Sequence, residues 1–264
     1  MTGTLSPCFR FCIILCSLAA LAWPTPYAQA APAASTSANV NGWFLSQRAR
    51  EEGNIDVELC KTGVRMTVSK SGLVILAAAP WRDAYMYCLK THNIFKMPLE
   101  KYANPYMRTM VMFDGGALAE TETVERGKET SVGIECKLLT EKPGFAKRQL
   151  EKRRQGQIAP RSPMTIQYLV TDHFKVDPRI SHIMAKVYAV PVTDSVPLQF
   201  NYTNVSREKD KQLSTTAVKP AKFKASDFQP PAGLKTVKDG MAVLVPEDSD
   251  PGLDLMMMGR TKLK

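Results

Sequence analysis

The sequence predicts an α+β fold that is mainly β, built on an antiparallel sheet with few helices. Residues 54–113 alternate apolar and polar side chains in short runs separated by turn residues, which is typical of successive hairpin strands. Some runs, such as 73–79, are apolar at every position, as in strands that are covered on both faces. One amphipathic helix, beginning after Asp177 and ending before Pro191, carries an apolar stripe that must lie on such a surface.

The first 30 residues predict export. Arg10 precedes the apolar run 11–23, and Ala28 to Ala30 has the small-residue pattern of a signal-peptide cleavage site. We expect cleavage after Ala30 and delivery to the periplasm or the extracellular space. Removal of this segment changes the net charge from +10 to +9, with 34 basic against 25 acidic residues remaining. A basic product can favour anionic lipid head groups or acidic partners, although a merely soluble basic surface explains the charge as well.

The rest of the chain predicts one domain with flexible ends. We expect a disordered leader at 31–41, a single domain at 42–245 and a flexible tail at 246–264. A solvated basic insertion is expected near 144–157, between two halves of one sheet.

Turn residues locate several strand pairs. The stretch 54–61 is expected to pair with 64–69 across Thr62-Gly63, and a second hairpin is expected around Gly127-Lys128. The stretch 47–52 fits either one or two helical turns or a loop. A strand is also predicted at 106–113.

The basic insertion has two interpretations. Its cations can meet an anionic membrane surface, or they can simply be solvated. The sequence favours the solvated alternative, because the segment has few apolar residues. The cations of the membrane hypothesis are Lys147, Arg148, Lys152, Arg153 and Arg154.

Motifs that would support catalysis or metal binding do not occur in the sequence. The three histidines have no zinc-ligand spacing. Asp172-His173 could form an acid–base pair, but a lone histidine at the end of a strand is usually polar surface. We therefore expect no enzyme activity, no cofactor, no metal and no nucleic-acid partner. Cys60, Cys88 and Cys136 remain after the signal, and their odd number leaves open whether two of them are bridged.

Methionine is enriched where the apolar runs lie. Twelve methionines follow Met1, and six of them fall between Met66 and Met112. Such unbranched, polarisable side chains suit irregular cores and adaptable binding surfaces. The candidate cavity lining is Met66, Met86, Tyr87, Met107, Met110 and Met112, with Ile183, Met184 and Val187 from the helix.

Several segments together resemble the outer-membrane lipoprotein-sorting superfamily, which comprises the LolA/LolB-like carrier and receptor proteins and their uncharacterised exported relatives. The segments are Gly63-Val-Arg65, the Ala79-Pro-Trp stretch that runs to Lys90, Tyr188-Ala-Val-Pro-Val192, Val196-Pro-Leu-Gln-Phe200 and Asp227 to Val237. The resemblance implies a curved antiparallel sheet that forms an incomplete barrel, with a few helices across its concave face. It also implies that the concavity holds acyl chains.

Two functions remain open at this point. The first is an exported, non-catalytic protein that binds lipid or lipoprotein acyl chains in an apolar concavity. The alternative is a structural or interaction module of the cell envelope whose cavity is filled by its own side chains.

Overall fold

Antiparallel hairpins make up most of the chain that the structure describes. In this computed structural model the described residues are 39–103, 118–157 and 162–245. Twelve strands form one sheet in the order β12-β6-β5-β4-β3-β2-β1-β11-β10-β9-β8-β7. The strands are β1 Asn39–Ala49, β2 Gly53–Cys60, β3 Gly63–Val68, β4 Leu73–Ala78, β5 Asp83–Cys88, β6 Asn93–Pro98, β7 Thr123–Ser131, β8 Ile134–Glu141, β9 Pro163–Thr171, β10 Val196–Asn204, β11 Lys209–Lys224 and β12 Lys235–Thr236.

The sheet is open, with β12 at one end and β7 at the other. Every described pair is antiparallel except the two-residue pairing of β12 with β6. Among the described residues, two α-helices accompany the sheet, α1 (Phe145–Arg154) and α2 (Pro178–Tyr188). Three single-turn 3-10 helices lie at Leu99–Lys101, Ala225–Phe228 and Met241–Leu244. The predicted fold class, a mainly β incomplete barrel with few helices, is confirmed.

Local turn chemistry explains the hairpins. The pairing of β2 with β3 places Cys60 opposite Gly63, which confirms the predicted hairpin. Its turn lies at Lys61-Thr62, one residue before the predicted Thr62-Gly63, because Gly63 is already part of β3. The turn between β7 and β8 lies at Val132-Gly133, where both residues have positive φ (46° and 79°). The prediction at Gly127-Lys128 was wrong, because Gly127 lies in an irregularity of β7 where the pairing register with β8 shifts.

The first strand, β1, pairs with an early strand and with a late strand of the described chain. β1 begins at Asn39, inside the predicted leader, and runs through Ala49, so part of the stretch 47–52 is strand. It pairs with β2 on one side and with β11 on the other. The sheet therefore depends on a pairing between residues that lie far apart in sequence, such as Ser46 and Ala217.

In the described chain, the edge of β11 that faces away from β1 has no strand partner over more than half of its length. β10 pairs with β11 only from Lys209 to Ser214, while β1 follows β11 to Lys224. Within the described chain, the part of β11 beyond Thr215 has β1 as its one strand partner. Pro220 lies in this part, as expected for a residue that has no N–H to offer a further strand. Lysines at 219, 222 and 224 are exposed there and oppose edge-to-edge pairing.

The helix α2 lies on what we call the inner face of the sheet. Asp177 caps it by accepting a hydrogen bond from the Arg179 amide at 3.0 Å, and Pro178 occupies the first turn, as predicted. The predicted stripe of five residues is buried: Ile180, Ile183, Met184, Val187 and Tyr188. These side chains belong to one cluster with the inward residues of β1 to β5 and β8 to β11. The core of the domain therefore lies between α2 and the sheet.

The C-terminal part of the domain also contributes to this core. Val243, in the last 3-10 turn, is fully buried. The Asn93 amide donates to the carbonyls of Ala242 and Val245 at 3.0 and 3.1 Å, and Thr91 donates to the Val243 carbonyl at 2.6 Å. These bonds hold the turn against β6.

Candidate functional site

The predicted cavity lining is packed, not empty. Met66, Met86, Met184 and Val187 are 0% exposed and Ile183 is 2% exposed. A side chain with no exposed surface borders no space large enough for a water molecule. These five residues do come together in one cluster between α2 and the sheet. Met107, Met110 and Met112, with the predicted strand 106–113, lie outside the described residues.

Tyr87 does not share this lining, so that part of the prediction was wrong. Successive residues of a strand point to opposite faces, and Met86 points inward. Tyr87 instead packs with Val74, Leu76 and Ile94 on the outer face of the sheet. Burial there raises the pKa of the Tyr87 hydroxyl.

The outer face explains why the central strands are apolar on both sides. The irregular segment 225–236 lies across it, and its Leu234 packs against the outer cluster. Phe228 of the same segment is 6% exposed and packs edge-on against Phe223, with ring centroids 5.7 Å apart. A Cβ at Gly63 would lie 2.9 Å from the Phe228 ring, so glycine permits the close approach. The chain therefore covers its second apolar face itself.

A buried polar network ties α2 and β10 to the long β1–β11 pair. The Gln47 amide donates to the Pro197 carbonyl at 3.0 Å and to the Thr215 hydroxyl at 2.8 Å. Tyr188, whose pKa is raised far above its usual range by burial, donates its hydroxyl proton to the Gln47 carbonyl oxygen. Gln212 in turn donates to the Tyr188 carbonyl at 2.9 Å. The network satisfies polar groups where β1 and β10 change register, and it holds α2 closed over the sheet.

The adjacent pair Asp172-His173 has separate roles. The Asp172 carboxylate accepts hydrogen bonds from Lys137 at 2.6 Å and Ser195 at 2.5 Å, and these hold its pKa below the usual range. The His173 ring packs on Trp43, with centroids 5.1 Å apart. Among the described residues, no group of three or more His, Cys, Asp or Glu side chains is placed to hold a metal ion.

The basic insertion forms the helix α1, which packs on β9. Phe145 and Gln149 are buried beneath it, while Lys147, Arg148, Lys152, Arg153 and Arg154 are exposed. Arg153 donates to the Val205 carbonyl and so fixes the end of the helix to the body of the domain. Leu150 lies among the cations and is 39% exposed. No described helix is both long and apolar enough to span a bilayer.

A cleft of about 580 Å³ opens where β1, β11 and the turn after β9 meet. Its apolar walls are the rings of Trp43 and Phe174, which pack edge-on with centroids 5.4 Å apart. Three exposed lysines, Lys61, Lys175 and Lys222, lie around it. We call it the Trp43 cleft. The sequence analysis missed it, because its residues come from four separate stretches of the chain.

Comparison with known proteins gives only distant structural likenesses. No protein-family model matches the chain, and no curated protein matches it. An uncharacterised conserved protein from Thermus thermophilus is similar at 11% identity and a TM-score of 0.41, over 75% of this chain and 90% of that one.

Two further solved structures are similar at lower scores. The MucA/MucB complex of Pseudomonas aeruginosa matches at 12% identity and a TM-score of 0.30, over 76% of this chain and 59% of that one. A LolA superfamily protein from Nitrosomonas europaea matches at 10% identity and a TM-score of 0.22, over 74% of this chain and 90% of that one. The LolA-like resemblance predicted from the sequence thus recurs among the structural neighbours. At such low identity and TM-score, these likenesses carry no inference about ligand or activity.

Proposed function

We propose that this protein is an exported, non-catalytic interaction module of the cell envelope whose half-barrel interior is filled by its own side chains. The proposal is supported by five buried side chains that are each at most 2% exposed: Met66, Met86, Ile183, Met184 and Val187. An acyl chain could reach Ile183, Met184 and Val187 only if α2 moved away from the sheet. That movement would break the Gln47–Tyr188 hydrogen bond and expose the apolar stripe of α2 to water.

The surface of α1 is the part of the module that we assign to an anionic membrane. Five cations and one carboxylate, Glu151, lie on ten residues of helix. Arg153 is engaged with Val205, which leaves Lys147, Arg148, Lys152 and Arg154 to meet phosphate groups. The exposed Leu150 supplies an apolar side chain at the same surface. Anionic lipid would be attracted mainly by these cations, and Leu150 would add a small apolar contribution.

Vesicle binding tests the role of α1. Each basic residue near an anionic bilayer contributes about 1 kcal/mol, so the triple variant R148Q/K152Q/R154Q should bind phosphatidylglycerol vesicles about a hundredfold more weakly at low salt. The matched control removes three exposed lysines on the other half of the sheet, Lys70, Lys90 and Lys101, and should retain most of the binding. Equal losses in the two variants would reduce the effect to net charge and refute an α1 site.

The acyl-chain hypothesis is the second candidate, and one observation favours it. Three of the buried side chains between α2 and the sheet, Met66, Met86 and Met184, are methionines, which can repack around a ligand. Native mass spectrometry of the purified protein and uptake of a fluorescent fatty acid distinguish the two candidates. We expect no retained lipid and no saturable uptake that is lost in Met86→Ala or Met184→Ala. Lipid retained by the unmodified protein and lost in these variants would overturn the filled-interior proposal.

A further inference from the structure

We infer that the Trp43 cleft is a binding site for a single-chain amphiphile with an anionic head group. None of the ten residues that line the cleft is acidic, and three of them are lysines. The site uses no residue of α1 and none of the five buried side chains Met66, Met86, Ile183, Met184 and Val187.

The volume and walls of the cleft fit a small ligand. About 580 Å³ lies within the 300–1,000 Å³ that is usual for small-molecule sites. The Trp43 ring is half-buried and is held by two edge-on contacts, with His173 at 5.1 Å and with Phe174 at 5.4 Å. Pro220 adds a further apolar surface. A hydrocarbon chain would bury these rings without needing any hydrogen bond from them.

Charge complementarity decides the head group. Lys61 follows β2, Lys175 lies between β9 and α2, and Lys222 belongs to β11, so three separate elements each bring one ammonium group to the cleft. A neutral or cationic head group would gain nothing from this arrangement, whereas a carboxylate or phosphate would be attracted by all three cations. Lysine serves such anions as a point charge and does not require fixed geometry.

Lys175 closes the turn that follows β9. Its φ is +49°, in the left-handed region that residues other than glycine and asparagine rarely adopt. The turn is closed by a hydrogen bond from the Lys175 amide to the Asp172 carbonyl at 3.1 Å. Asparagine would accept this conformation more readily than lysine does, so Lys175→Asn is a suitable variant for removing the charge without disturbing the turn.

Fluorescence of Trp43 provides the assay. The chain has three tryptophans, so the W23F/W81F variant reports from Trp43 alone. We expect lysophosphatidylglycerol, titrated below its micelle concentration, to shift this emission saturably. Lysophosphatidylcholine, which has the same chain and a zwitterionic head, should bind about tenfold more weakly, because three exposed ion pairs contribute little individually but add together.

Variants separate the site from general effects. Adding K61Q/K175N/K222Q to the reporter should remove the preference for the anionic lipid and leave the weaker binding of the zwitterionic one. The α1 variant R148Q/K152Q/R154Q should keep the lysolipid response intact, so failure of the membrane proposal and failure of this one give different results. Equal binding of the two lysolipids, or an anionic preference that survives the lysine substitutions, would overturn the inference. Displacement of the anionic lysolipid by a glutamate-rich peptide at equal concentration would also overturn it, in favour of an acidic protein partner.

Discussion

Phe228 gives the most direct test of how the chain covers its outer face. Truncation of a buried phenylalanine to alanine costs about 3–5 kcal/mol. Phe228 is 6% exposed, but it lies on a surface segment that can partly collapse into the space it leaves. We therefore expect the destabilisation by Phe228→Ala to lie at the low end of this range, at about 3 kcal/mol. It should weaken the attachment of the segment 225–236 before it affects the core.

Amide hydrogen exchange can separate these two effects. The Lys235 amide donates to the His92 carbonyl at 2.8 Å, and the Val237 amide donates to the Ile94 carbonyl at 2.9 Å. If the free energy of opening this segment falls by about 3 kcal/mol, the hydrogen-exchange rates of both amides rise about a hundredfold. The Val57 amide, in the central strand β2, should keep its protection.

Two variants serve as controls for the Phe228 test. Phe228→Leu keeps most of the side-chain volume and should lower the free energy of unfolding by less than about 1.5 kcal/mol. Gly63→Ala approaches the same contact from the sheet, because its Cβ would lie 2.9 Å from the ring, and it should release the same amides. Phe228 does not anchor the segment if Phe228→Ala leaves the exchange rates of the Lys235 and Val237 amides unchanged and lowers the free energy of unfolding in urea by less than about 1 kcal/mol.

Two further predictions concern polar contacts. Gln47→Met should lower the free energy of unfolding in urea by about 2–4 kcal/mol, because the Tyr188 hydroxyl and other buried groups lose their partner; a loss under about 1 kcal/mol would show that the network is dispensable. Asp172→Asn should lower the melting temperature slightly at pH 7 and not at all once the pH lies below the pKa of Asp172 in the folded protein. The reason is that Lys137 holds the Asp172 pKa below its unfolded value, so the carboxylate stabilises the fold above that value and loses this contribution as the pH falls through the folded pKa. A difference that persists at low pH would contradict the assignment.

The sequence was sufficient to predict elements whose determinants are local. The β2–β3 hairpin follows from alternation and turn chemistry to within one residue of its turn, and α2 follows from Asp177, Pro178 and the apolar stripe. The same alternation could have excluded Tyr87 from the inner lining, since it adjoins Met86 in one strand. Composition groups Tyr87 with the nearby methionines, whereas strand alternation places it on the face opposite to Met86.

Features that depend on distant residues were not predictable in this way. The β1–β11 pair brings together an early and a late strand of the described domain, and no turn residue in the sequence predicts this pairing. The cover of the outer face comes from a proline-containing segment with no regular period, so hydrophobic alternation does not identify it. The three lysines of the Trp43 cleft come from separate stretches of the chain, and ordinary surface lysines look the same in sequence.

The three cysteines have a consequence for how the chain folds. Cys60, Cys88 and Cys136 are all unbridged and buried, at 3%, 1% and 1% exposure. In the folded domain burial shields most of each thiol from an oxidant or thiol catalyst, whereas an unfolded chain, exported as the first 30 residues predict, would present all three. Successful maturation is then a kinetic competition, in which sheet formation must enclose the thiols before any two of them are joined. Conditions that slow folding would therefore trap mispaired disulfides in a protein whose native state contains none among these three.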